Sequence, residues 1–383
     1  MKILHLCLGC FYIDNSTYQE NLLPKYHKKL GYDVEIIASA LNQRDGRFFY
    51  ENDYRQYINE HGIKVTRLKY RGILSVAKKL ASYENLSETI VASEPDVIFI
   101  HGLQSADAKT VVKYLRKHPD VRVFIDNHND FNNSAKNFIS KEILHKRLWK
   151  KSAKLFLPYT KKFYGVLPAR VDFLKDVYGL PEEKCELLVM GVDDEILDDA
   201  EKENARSRLR KEYAITDNTT LIVTGGKINK DRPETLQLME AVSGLGRDDI
   251  HLLVFGNVID EYKEYFDKLC ESPLIHYVGW VNSKQIYEYF QAADLVAFPG
   301  LHSVLWEQAV GSGKACIFRK IDGFTHIDIG GNCAFFDSLE SDGISKQLAE
   351  LVDSGRIPEM TKAAQEKGKN YFSYKSIAKR CIE

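Results

Sequence analysis

What most constrains this chain is a pattern that occurs twice. Short, continuous, β-branched apolar runs alternate with longer segments of helical period. The first series comprises residues 3–8, 34–39, 65–68, 97–100, 121–125, 163–167 and 186–189, with amphipathic stretches at 18–30, 76–92 and 106–117. The second comprises residues 221–224, 251–255, 275–278, 295–298, 315–318 and 334–336, with helical stretches at 234–242, 262–269 and 283–290. Runs without polar alternation, separated by helices, predict parallel sheets covered on both faces. Between the series, residues 193–213 are rich in charge and poor in long apolar runs. The 383 residues suit two domains. The reading is therefore α/β, two Rossmann-like domains facing across an interdomain cleft, with a boundary near residue 200. No repeat or low-complexity segment interrupts them. Ligands of open α/β sheets bind beyond the carboxyl ends of the strands. Two such domains therefore suit a two-substrate enzyme.

Composition excludes more than it selects. The chain is 44% hydrophobic and 28% charged, with a formal charge of −1, so net charge predicts no polyanionic partner. Cys7 and Cys10 form a C-x-x-C spacing, but Cys7 lies inside the apolar run 3–8 and no second Cys/His pair has ligand spacing. Seven cysteines without framework spacing fit buried thiols in a reducing cytoplasm. The N-terminal apolar run is too short for a signal h-region, and no run of 18 apolar residues predicts a membrane span.

Five constellations could carry chemistry. After the run at 221–224 come Gly225, Gly226, Lys227, Arg232 and Pro233. A glycine turn, two cations and a helix N-terminus make an anion site suited to a diphosphate, or simply a solvated basic loop. The Walker spacing is absent. After 295–298 come Pro299, Gly300, His302, Ser303, Val304 and Glu307. Ser303 is an expected N-cap. Glu307, in that helix, either accepts hydrogen bonds from a ribose diol or complements the helix dipole. After 121–125, Asp126, Asn127, His128, Asn129 and Asp130 crowd a strand end, where His128 could contact a sugar hydroxyl or transfer a proton. The turn at Gly9 and Cys10 resembles a nucleotide-binding βα turn without G-x-G-x-x-G. Finally, residues 141–164 interleave Lys141, Lys146, Arg147, Lys150, Lys151, Lys154, Lys161 and Lys162 with Trp149, Phe156, Tyr159, Phe163 and Tyr164. That composition suits an anionic lipid surface or an ordinary solvated helix face. No signature supports nucleic acid.

Together these residues resemble the family 4 glycosyltransferases, a retaining family of the GT-B fold. The resemblance covers nearly the whole chain and is strongest over residues 220–320. The family's strand ends in Gly-Arg with a Lys five residues later; Gly226-Lys227 and Arg232 keep that spacing with the cations exchanged. Lys227 and Arg232 are thereby implied as ligands of the donor diphosphate. Glu307-Gln-Ala-Val-Gly311-Ser-Gly313 matches the second half of the family's Glu-x7-Glu pattern, which implies Glu307 as the ribose ligand. The first Glu is replaced by Pro299, with His302 and Ser303 near its place. His101 resembles the family's cleft histidine, His128 the one that touches the donor sugar, and Gly9 the first-loop glycine near the diphosphate. The resemblance implies an acceptor-binding domain over 1–200, a nucleotide-sugar domain over 201–360, and a segment from 361 to 383 returning to the first domain. It also implies transfer of a sugar from a nucleoside diphosphate sugar to a glycan or lipid-linked glycan, in bacterial cell-envelope polysaccharide biosynthesis. No metal or other cofactor is expected. The place of action is the cytoplasm, peripheral on the inner face of the membrane through residues 141–164. The missing first Glu leaves a second reading, a catalytically degenerate GT-B module that binds sugar nucleotides or a partner.

Overall fold

The computed structural model describes residues 1–44, 47–50, 55–131, 133–135, 137–230 and 232–383. The chain forms two compact units, Met1–Met190 with Tyr374–Glu383, and Gly191–Ser373.

The first unit contains β1 (Lys2–Cys7), β2 (Asp33–Ser39), β3 (Leu41–Arg44), β4 (Arg47–Tyr50), β5 (Arg55–Ile58), β6 (Lys64–Leu68), β7 (Val97–His101), β8 (Arg122–Asn127), β9 (Thr160–Gly165) and β10 (Cys185–Leu187). Eight of them form one sheet in the order β10-β9-β8-β7-β1-β2-β6-β5. All its pairs are parallel except β5 with β6, and β3 and β4 form a separate two-stranded antiparallel sheet. The β-branched runs are buried on both faces, as parallel strands require. Leu4, Leu6, Ile98, Ile100, Val123 and Ile125 face one core, and Cys7, Val34, Ile36 and Val65 the other.

The second unit contains β11 (Thr220–Ile228), β12 (Ile250–Val258), β13 (Ile275–Tyr277), β14 (Leu295–Phe298), β15 (Ala315–Arg319) and β16 (Cys333–Phe336). They form a parallel sheet in the order β13-β12-β11-β14-β15-β16. Counted within the unit this is 3-2-1-4-5-6, the Rossmann order, whose direction reverses between its first and fourth strands. The first unit repeats the pattern about β1 and β7.

Three departures from the sequence reading have local causes. The expected helix over 76–92 is two helices, Leu74–Leu80 and Leu86–Ser93. Between them Ala81 and Asn85 have positive φ, and the Tyr83 N–H donates to the Asp107 carboxylate at 2.6 Å, a partner outside any helix. The charged stretch 193–213 forms helices Asp194–Lys202 and Ala205–Glu212. Their buried residues include Ala200, Ala205 and Leu209, an apolar stripe too narrow to read as a periodic pattern. The units also divide at 190/191 and 373/374, not near 200 and 361. Val192 explains why: its N–H donates to the Phe372 carbonyl at 2.8 Å, and its side chain fills the space beside Gly311. Of the segment 361–383, residues Tyr374–Glu383 join the first unit, where Tyr374 of the helix Tyr374–Arg380 stacks on Tyr26 of helix Gln19–Lys29.

Candidate active site

In the second unit the switch point lies between β11 and β14, and the cationic and acidic candidates stand at their carboxyl ends. Contrary to expectation, Gly225 and Gly226 form no turn. β11 runs on to Ile228 with Lys227 inside it. The glycines serve strand packing instead. A Cβ on Gly225 would lie 2.4 Å from the Phe255 ring, and one on Gly256 would lie 1.8 Å from the Gly226 carbonyl oxygen. Gly226, Lys227, Phe255, Gly256, Trp280 and Leu305 are among the residues lining a cavity of about 160 Å³. Trp280 is 68% exposed there. Its neighbour Gly256 carried no signal in the sequence, because its role depends on the β11–β12 pairing.

Arg232 packs beside Gly300 and donates from Nη2 to the His302 carbonyl at 3.3 Å. Lys227 is exposed. Among the described residues, neither Lys227 nor Arg232 is paired with a carboxylate, so both cations remain available to an anion. Ser303 does not cap the following helix with its side chain. The helix is Leu305–Gly311, Val304 occupies the N-cap position, and the Ser303 carbonyl accepts the Trp306 N–H at 3.0 Å.

Glu307 is fully buried on that helix. Its Oε1 accepts from His302 Nε2 at 2.9 Å and from His326 Nε2 at 3.0 Å. Burial by itself would raise the carboxyl pKa, but the two imidazoles outweigh it and hold the group well below the usual carboxylate range. His326 was missed from sequence because it lies on another loop, after β15. The ligating atoms of His302, Glu307 and His326 lie within 4.8 Å of one another, close enough for a small divalent cation. The fit to a metal is incomplete. Among the described residues, His326 Nδ1 is buried without a partner, whereas a metal-bound imidazole ordinarily passes its other ring N–H to an acceptor. The separations are those of charge-assisted hydrogen bonds, and the group is read as a clamp on Glu307.

In the first unit, the loops after β1 and β7 meet at the corresponding switch point. A Cβ on Gly9 would lie 2.8 Å from the Gly102 carbonyl oxygen, so close backbone packing explains Gly9 without a ligand. Gly9 also lines a cavity of about 240 Å³ with Tyr70, Lys78, Gln104, Asn129 and His145. His128 stands apart from that wall, its Nε2 3.6 Å from Asp126 and 3.9 Å from Glu20. Asp126 is fully buried and accepts from His101 Nδ1 at 2.8 Å, from Gln19 Nε2 at 3.0 Å and from the Gly102 N–H at 3.0 Å.

Residues 141–164 do not present the expected aromatic surface. Trp149, Phe156, Phe163 and Tyr164 are buried. The segment is most of the helix Ile139–Trp149, the helix Lys150–Phe156 and most of β9, and such elements must bury one face. Among the described side chains of this region, the large exposed apolar ones are Phe131, Phe138 and Ile143. Among the described residues, no helix is long and apolar enough to cross a membrane.

Comparison with known proteins places these observations. The model of Glycosyltransferase Family 4 matches residues 17–196. The chain is related to glycosyltransferase family 4. A lipopolysaccharide 1,2-N-acetylglucosaminetransferase of Salmonella typhimurium is 21% identical over 319 residues, covering 78% of this chain and 74% of that relative. Among solved structures, a glycosyltransferase from Rickettsia africae aligns with a TM-score of 0.64 at 16% identity, over 99% of this chain and 96% of that one. Anabaena HepE in complex with UDP aligns with a TM-score of 0.63 at 16% identity, over 99% and 98%. These likenesses establish the GT-B fold, two Rossmann-like units in succession.

Proposed function

We propose that this family 4 relative is a retaining glycosyltransferase, moving a sugar from a nucleoside diphosphate sugar to a glycan or lipid-linked glycan in envelope polysaccharide assembly. One observation carries the reading. Two cations without carboxylate partners among the described residues, Lys227 and Arg232, stand at the switch point of a Rossmann sheet, with the exposed ring of Trp280 beside Lys227. A diphosphate needs the cations, and a base needs an aromatic face or a cavity wall. As the glycosidic bond to the donor breaks, negative charge grows on the leaving diphosphate. Fixed cations stabilise that charge without reorganising, commonly a large catalytic term. Glu307, held ionised by His302 and His326, is the acceptor for a ribose diol, and His128 is assigned a role toward the sugar from its likeness to the family histidine. The relative from Salmonella is a lipopolysaccharide transferase, which supports an envelope acceptor.

The base is tested with UDP, the nucleotide in the HepE complex. Of the three tryptophans, Trp149 and Trp306 are buried and Trp280 is exposed, so quenching by UDP reports on Trp280. Saturable quenching is expected. Losing the ring in Trp280→Ala should weaken UDP binding by about 5- to 150-fold, from a stacking contribution of about 1–3 kcal/mol. UDP binding unchanged in the variant, measured by isothermal titration calorimetry because the reporting ring is gone, would remove Trp280 from the base site. Pro299 in place of the first family Glu favours the degenerate reading as the alternative. Saturable nucleotide binding with neither transfer nor donor hydrolysis would select it.

The membrane contact is proposed for the inner face of the cell membrane, through Phe131, Phe138 and Ile143 flanked by Lys141, Lys146 and Arg147. Phe138 is 74% exposed. Apolar tips among cations suit an anionic interface. Phe138→Asp with Ile143→Asp should abolish flotation with phosphatidylglycerol vesicles. Equal flotation of both proteins would exclude this surface.

A further inference from the structure

Behind Asp126 three buried histidines stand in single file. His27 Nε2 lies 2.8 Å from the Ala378 carbonyl oxygen, and His27 Nδ1 lies 3.0 Å from His5 Nε2. His5 Nδ1 lies 3.0 Å from His101 Nε2, and His101 Nδ1 lies 2.8 Å from Asp126 Oδ2. The three imidazoles and the Asp126 carboxylate are fully buried, so water supplies no alternative partner. The file links helix Gln19–Lys29, β1, β7 and β8 to the returning helix Tyr374–Arg380.

Counting protons decides its charge. There are four hydrogen bonds, and each needs one proton. A carbonyl oxygen only accepts, so His27 Nε2 must carry hydrogen. At the other end the ionised Asp126 only accepts, so His101 Nδ1 must carry hydrogen. The two inner links need one proton each. Three neutral imidazoles supply three protons, one fewer than the four links require. An unmade link would leave two buried lone pairs face to face, at the desolvation cost of a lost hydrogen bond.

We propose that this file holds one excess proton, resting on His101 against Asp126, and that His5 and His27 are positioning residues that keep it there through the Ala378 carbonyl. His27 and His5 are then neutral with hydrogen on Nε2, and His101 is an imidazolium. The excess charge rests on the ring nearest the carboxylate because the Coulomb attraction is greatest there. With its charge compensated from behind, Asp126 stays ionised. It therefore accepts from Gln19 and from the Gly102 N–H, and it faces His128 with full negative charge. Docking of the C-terminal helix and the charge of the site are one event.

The titration tendencies agree. Burial lowers His5 well below its ordinary value and lowers His27 to about 4. Burial also opposes a charge on His101, but Asp126 prevails and raises it to about 9. Among the described residues, the other titratable or charged groups around the file include Cys7 of β1, Cys10 just after it, Glu20 of helix Gln19–Lys29, and His128 beyond β8. They also include Tyr32, whose ring packs edge-on to His27, and Cys381, whose Sγ is 3.5 Å from His27 Nε2 and which has Arg380 and Glu383 near it. Burial pushes the Cys381 thiol up, so it adds no charge near neutrality. Glu20 adds to the pull on the His101 proton.

The test is a long-range ¹H–¹⁵N correlation spectrum of the ¹⁵N-histidine-labelled full chain, followed from pH 5.5 to 9.5. At pH 7 one imidazolium and two neutral Nε2–H rings are expected within the file, assigned by single substitution. The second experiment is His27→Phe, which removes the outer two links. Two rings then satisfy two links, and His101 should lose its second proton at least about one pH unit lower than in the parent. A neutral His101 at pH 7 in the parent overturns the proposal. So does an unshifted His101 titration in a folded variant. If His27→Phe does not fold, the parent spectrum decides alone. A merely space-filling role for His5 and His27 would leave the His101 titration in place.

Discussion

Replacing Lys227 and Arg232 together by alanine should abolish sugar transfer while leaving the fold intact. Removing one preorganised donor from a developing oxyanion costs about 10²–10³ in rate, and the two cations here act on one leaving group. Loss of turnover to the detection limit is therefore expected, with each single variant intermediate. The structural cost is small. Lys227 is exposed, and among the described residues the Arg232 side chain contributes one hydrogen bond, to the His302 carbonyl. Such losses are worth about 1 kcal/mol, a fall in Tm of no more than about 4 °C in a unit of this size. Product formation and thermal unfolding, measured side by side, check both halves. Near-normal turnover in the double variant refutes the assignment. The same assay in EDTA should show undiminished turnover of the parent, because Lys227 and Arg232 supply the charge a metal would otherwise bring. Loss of turnover that zinc restores would turn the His302–Glu307–His326 clamp into a metal site.

Glu307→Ala should damage stability and donor binding at once. The carboxylate is fully buried between His302 and His326, and its loss leaves two imidazoles without their acceptor. Breaking a buried pair by removing one partner costs about 3–5 kcal/mol, a fall in Tm of roughly 10 °C. Adding His326→Leu should regain part of that fall, because it removes one of the stranded groups. The sign with pH follows from the depressed carboxyl pKa. Its stabilisation is present above the unfolded value of about 4.3 and is lost only as pH falls below it, through the folded value. UDP affinity should fall at least about tenfold, the loss of one charge-assisted hydrogen bond pair to a ribose diol. An unchanged UDP titration in a folded Glu307→Ala protein would leave the clamp purely structural.

The fold was legible because parallel sheets bury both faces and so write themselves as unbroken apolar runs. The run at residues 3–8 marks β1, and the runs at 97–100 and 295–298 mark β7 and β14. Elements held by partners far away in sequence were not legible in the same way. The helix break at Tyr83 depends on Asp107, and the position of the unit boundary depends on Val192 meeting Phe372. The aromatics of residues 141–164 read as a surface because composition carries no direction, and burial turned them inward.

The sequence by itself determined the two Rossmann-like series and which polar residues follow which strand, because strand ends are written in local chemistry. That placed Lys227, Arg232, Glu307 and His128 among the candidates. Only the tertiary structure decided what each of them faces. It set Gly226 against Gly256, turned His326 onto Glu307, and lined up His27, His5 and His101 behind Asp126. The reason is distance along the chain. Those partners lie up to 96 residues apart, and the file ends on a carbonyl 351 residues from His27. Local sequence determines where a strand ends, but the order of strands in the sheet determines which side chains meet there.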